Sequence, residues 1–168
     1  MNQTGTTLET NGEPRGMEGL LAEVEQAFAV YRQDLERYEK KKNPLGGLFG
    51  VGSSLKDDSC HDRLDERLEK TVADLCALPP SAEDAARAVR MLLHPQEGRA
   101  WPLAAEWMLR AVERHTLPLI PFLTPEAAAG FLRDYTSRYK PWDRLPAQKE
   151  VCRALKRQAR DKAVGNRQ

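Results

Sequence analysis

Residues 17–38, MEGLLAEVEQAFAVYRQDLERY, set Met17, Leu21, Val24, Phe28, Tyr31, Leu35 and Tyr38 at alternating steps of four and three. That spacing lays them along one face of an α-helix, so the segment has both a helix to form and a surface to bury. The pattern predicts a helix from about Gly16 to Lys42, roughly 40 Å long at 1.5 Å per residue. Lys40, Lys41 and Lys42 suit the negative end of its dipole, and Asn43-Pro44 stops it. A seven-residue period is also that of a coiled coil, but Tyr31 and Tyr38 are poorer zipper residues than Leu because each hydroxyl needs a partner. Packing within one chain is the favoured expectation, and self-association through the same stripe the alternative.

Downstream, a second helix is expected over residues 59–78, with His61, Leu64, Leu68, Val72, Leu75 and Cys76 inward and Pro79-Pro80 ending it. It is roughly 10 Å shorter than the first, so an antiparallel hairpin of the two leaves an overhang. Ser81 and Asp84 open a third helix, which carries Ala85, Ala88, Val89 and Leu92 inward and ends at His94-Pro95. A fourth is expected over 101–116 with Leu103, Ala104, Trp107, Met108, Ala111, Val112 and His115 on its inner side. The run LPLIPFL at 117–123 is too apolar for a surface loop and reads as a buried connector holding one helical turn. Thr124, Pro125 and Glu126 begin a fifth helix that reaches about Tyr139. In the following KPWDRLP, Trp142 is expected to anchor the loop, and Pro146 opens a last helix to about Ala163 with Val151, Cys152, Leu155 and Ala159 on one side.

The fold class that follows is all-α, a bundle of about six helices whose long first helix forms a hairpin with the second. A chain of 168 residues, 40% hydrophobic and 30% charged, is long enough for one domain with its own core. Ile120 is its only isoleucine, and the β-branched residues are scattered singly, which disfavours strands. The domain is expected to span 16–164, between a disordered tail at 1–15 and a disordered end at 165–168. Internal repeats of solenoid length are not evident.

Residues 43–58, NPLGGLFGVGSSLKDD, read as a flexible glycine-rich loop. Its apolar residues would be wasted in a purely solvated segment, which makes Leu48, Phe49 and Val51 candidates for partner binding. The glycines lack the Lys-Ser/Thr ending of a phosphate-binding loop and follow no strand. No apolar run reaches the roughly 18 residues of a spanning helix. Three cysteines, Cys60, Cys76 and Cys152, behind a polar N-terminus suggest reduced thiols and a cytoplasmic location.

The formal net charge of +1 conceals an asymmetry. Residues 133–168 hold 11 Lys/Arg against 4 Asp/Glu, leaving 15 against 21 in residues 1–132. Compensation between the two regions within the fold is the simpler expectation, and an acidic partner for the basic end the alternative. On the last helix Lys149, Arg153, Lys156 and Arg160 fall within about 60° of one another, a ridge able to meet phosphates.

Chemistry finds little footing. Cys60-His61 is the one cluster with ligand potential, yet adjacent helical residues point about 100° apart, and no metal, cofactor or catalytic residue is assigned. Cys76 lies roughly 24 Å along the same helix from Cys60, too far for a disulfide. The function expected from the sequence is a non-catalytic helical protein–protein interaction module. The alternative is a nucleic-acid-binding accessory protein using the basic C-terminal helix.

Overall fold

The computed structural model describes residues 16–42, 59–94, 101 and 103–160. The expected tails, the loop at 43–58 with Leu48, Phe49 and Val51, and residues 161–168 lie outside them. The helices are α1 (Met17–Lys42), α2 (Ser59–Ala77), α3 (Ala82–Leu93), α4 (Leu103–Val112), α5 (Pro125–Arg138) and α6 (Pro146–Gln158). Short 3-10 turns occupy Glu113–Thr116, Ile120–Phe122 and Pro141–Asp143, and no strand occurs among the described residues. The protein is an all-α bundle.

Five of the seven stripe residues on α1 are buried, Met17 is half-buried, and the Tyr38 side chain lies outside what the structure describes. Leu21, Val24, Phe28, Tyr31 and Leu35 are all buried, joined by Leu20 and Ala27. Each large member contributes about 1.5–3 kcal/mol by leaving water. Helix α2 makes the most extensive contact with α1, presenting Leu64, Leu68, Val72 and Leu75. Their antiparallel sense follows from the ends. His61 and Arg63, at the start of α2, meet Tyr31 and Asp34, whereas α3, which follows α2, reaches back to Glu18 through Arg87. Since α1 continues to Lys42, its backbone extends about 12 Å past Asp34.

The helix starts are fixed by local chemistry. Ser81 Oγ accepts from the Asp84 amide at 3.1 Å, and Thr124 Oγ1 from the Ala127 amide at 3.1 Å, with Pro125 in the first turn of α5. His94 caps α3 at its C-terminus. The apolar connector is buried at Leu119, Ile120 and Leu123, and Gln158 Nε2 on α6 donates to the carbonyls of Pro121 and Leu123 at 3.3 and 2.6 Å.

Three expectations are corrected. The last helix, expected to reach about Ala163, ends at Gln158 and gives way to a turn at 159–160. The helix predicted over 101–116 ends at Val112 and tightens into the 3-10 turn, and its inner face carries Ala105, Leu109 and Val112. Trp107 lies on the opposite side, 60% exposed. Apolar residues surround α4, so spacing alone did not select its face. Trp142 anchors nothing: its side chain is 79% exposed. Arginines hold that loop instead, Arg144 donating through Nε and Nη2 to the Tyr139 carbonyl at 3.0 and 2.8 Å, and Arg110 through Nη2 to the Asp143 carbonyl at 3.0 Å.

Candidate interaction surface

The interior of the bundle holds a buried carboxylate. Glu113 begins the 3-10 turn after α4, four residues past Leu109, which puts its side chain on the inward face of that helix. It is 2% exposed. Its Oε2 accepts from the Tyr135 hydroxyl and from Gln148 Nε2 at 3.0 Å, and its Oε1 from the Tyr139 hydroxyl at 3.1 Å. Burial raises the Glu113 carboxyl above its ordinary range, an effect the three donors and the field of Arg138 only partly offset. Burial also raises both phenols, that of Tyr139 to about 12.

Two guanidiniums attend the same aromatic pair. Arg138 stands 5.7 Å from the Tyr135 ring centroid and 5.2 Å from that of Tyr139, and Arg110 4.9 Å from Tyr139. Arg138 also donates to the Leu93 carbonyl at 3.1 Å, beside His94 Nε2 at 3.4 Å. Arg110 donates to Gln148 Oε1 at 3.3 Å as well as to Asp143, while its buried Nε has no hydrogen-bond partner. Gln148 Oε1 also takes the Leu145 amide at 3.0 Å, which starts α6. One polar cluster thus joins α4, α5 and α6.

That cluster places the tryptophans. Trp107 precedes Arg110 by about one helical turn on α4, and Trp142 immediately precedes Asp143, so the two tryptophans belong to the two segments that the Arg110–Asp143 hydrogen bond joins. Lys140 and Arg144 border Trp142 in the chain. Exposed indoles set among cations are the residue types that dominate binding hot spots.

The remaining groups with chemical potential hold helices together. Asp65 on α2 receives Arg114 Nη2 on one oxygen and sits 2.7 Å from His115 Nε2 through the other, tying α2 to the 3-10 turn. Among the described residues no hydroxyl or thiol hydrogen-bonds His115. The Cys76 thiol points to the Pro118 carbonyl at 3.7 Å, and burial raises the thiols of both Cys76 and Cys152, away from the reactive thiolate. His61 Nδ1 lies 3.0 Å from the Tyr31 hydroxyl and 3.9 Å from Cys60 Sγ. No group of three or more His, Cys, Asp or Glu able to hold a metal occurs among the described residues.

An open groove of about 570 Å³ runs between α2 and α6, lined by Val72, Ala73, Leu117, Pro118 and Ala147, with Glu69 on one helix and Glu150 on the other. Lys149, Arg153 and Lys156 on α6, on the side away from buried Val151 and Leu155, and Arg160 in the turn that follows it are all exposed. None has an ion-pair partner among the described residues. Sequence reasoning placed the ridge and missed Glu113, Gln148, Arg110 and the exposure of Trp107. The signal for Glu113 was a carboxylate in register with Leu109 and Thr116.

No family model, no curated protein and no solved structure matches this chain.

Proposed function

We propose that this protein is a non-catalytic helical interaction module, working in the cytoplasm, that docks a protein partner through Trp107 and Trp142. The observation carrying this reading is the exposure of the two indoles, 60% and 79%, on the two segments, α4 and the loop at 141–143, that the Arg110–Asp143 hydrogen bond joins. Burying an indole against a partner removes a large apolar area from water, and a site already held in place loses little entropy on binding. Lys140 and Arg144 make the border cationic, so the matching surface is apolar with carboxylates at its edge. The non-catalytic part rests on the engagement of Asp65, His115 and Glu113 in helix-to-helix contacts. The cytoplasmic part rests on the three free cysteines.

The test is affinity capture from the native cell with the natural chain beside Trp107→Ser/Trp142→Ser. A protein retained by the natural chain and lost by the double variant supports the reading, provided both unfold at the same temperature. Identical captures would overturn it.

The unpaired ridge on α6 favours a second reading, an accessory protein that meets the phosphates of nucleic acid through Lys149, Arg153, Lys156 and Arg160. Such binding is strongest at low salt, where counterion release drives it. Absence of any shift in single- or double-stranded oligonucleotides under those conditions would remove it.

A further inference from the structure

The basic ridge on α6 has a counterpart. On α2, Asp62, Glu66 and Glu69 are exposed at steps of four and three, within about 60° of one another and away from buried Leu64, Leu68 and Leu75. No hydrogen bond or ion pair engages them among the described residues, whereas the other charges of this helix are largely occupied. Arg63 pairs with Asp34, Asp65 with Arg114 and His115, and Lys70 with Asp74. Lys149, Arg153 and Lys156 follow the same four-and-three step on α6, whose only carboxylate is Glu150. Two solvent-facing ridges of equal pitch and opposite sign therefore belong to one chain and leave each other unpaired.

We infer that the acidic ridge of α2 receives the basic ridge of α6 from a second copy of this chain. The matching pitch lets three cations meet three carboxylates over about 10 Å of helix. The aliphatic stems of Lys and Arg can then lie along Ala73, Leu117 and Pro118 in the adjoining groove, covering apolar surface that charge alone would leave wet. Each copy carries both ridges, so each can give and receive, and complementary surfaces of this kind drive self-association. Ion pairs at such a contact remain partly solvated, so the association is weak and salt-sensitive. The contact is distinct from the tryptophan face and does not depend on it.

The experiment is light scattering on the full chain across a concentration series at low and high ionic strength. At low salt the mass rises above that of one chain with increasing concentration, and high salt returns it to one. Asp62→Lys/Glu66→Lys/Glu69→Lys and Lys149→Glu/Arg153→Glu/Lys156→Glu each weaken self-association by roughly tenfold or more, the loss of several exposed ion pairs. An equimolar mixture of the two variants recovers it, because each then offers the charge the other lacks. Should a reversal variant fail to fold, Gln at the same positions keeps the loss measurable, and mixing with the natural chain replaces the rescue. A natural chain that stays monomeric at low salt, or a mixture that fails to recover, overturns the inference. So does a monomeric chain whose α6 ridge binds a single-stranded oligodeoxynucleotide and loses it on reversal of Lys149, Arg153 and Lys156 alone.

Discussion

The guanidinium of Arg110 lies 4.9 Å from the ring centroid of Tyr139, whose hydroxyl donates to buried Glu113 at 3.1 Å. One side chain therefore touches the internal carboxylate network through an aromatic ring and the outer loop through the Asp143 carbonyl. Replacing it by Ala removes the ring contact and both hydrogen bonds. Arg110→Ala is expected to cost about 1–3 kcal/mol by urea unfolding and to shift the emission of Trp142, because the loop loses its tie to α4. Arg110→Lys keeps the charge but not the fork, and falls between.

Glu113 governs a pH effect with a definite sign. Its folded carboxyl titrates above the ordinary value of 4.5, so its contribution is fully present below that value and is lost as pH rises through the folded pKa. Glu113→Gln removes this dependence, so urea midpoints of the natural chain should fall relative to the variant as pH climbs from about 4.5. Carboxylates such as Glu18, lowered by hydrogen bonding to Arg87, act in the opposite sense and are common to both proteins.

Glu113→Ala is a harsher change than Glu113→Gln. It strands the Tyr135 hydroxyl, the Tyr139 hydroxyl and the Gln148 amide in the interior, and is expected to cost about 2–4 kcal/mol. A thermal melt of the two variants side by side decides this, and equal losses would mean that the donors find water instead.

On the first helix, Phe28→Ala opens a void between α1 and its neighbours and is expected to cost about 3–5 kcal/mol, enough to unfold a marginal domain at physiological temperature. Circular dichroism with denaturant reads it directly. A loss under 1 kcal/mol would contradict the burial of the stripe.

At the surface, Trp107→Ser and Trp142→Ser should leave stability within about 0.5 kcal/mol of the natural chain, since neither indole packs into the core. Differential scanning calorimetry gives the comparison.

The parts of the fold that could be read from the residues are those where one face is apolar and the other is not. The α1 stripe from Leu21 to Leu35, the caps at Ser81 and Thr124 and the buried connector through Ile120 carried unambiguous local signals. Helix α4 did not, because Trp107 and Leu109 sit on nearly opposite sides with equal hydrophobicity, and only tertiary packing chose between them. Trp142 misled for a related reason: an aromatic in a polar loop looks like an anchor, while Arg110 and Arg144, reaching backbone carbonyls, are what secure it. The ridge on α6 was legible from periodicity, but that its charges go unanswered among the described residues is a matter of tertiary packing. Glu113 stood in register with the core positions of α4, and its partners come from Tyr135 and Gln148, separated by 22 and 35 residues, a relation that local sequence does not encode.

Tyr135 on α5 and Tyr139 at its C-cap sit four residues apart and both reach the same carboxyl group. If α5 slid toward its own N-terminus by one turn, Tyr139 would arrive where Tyr135 now stands and the second phenol would have no successor. A slip the other way would strand Tyr139 instead. The two hydroxyls thus act as notches that count the turns of α5 against α4, so that a bundle with a greasy and otherwise forgiving interior closes at a single setting.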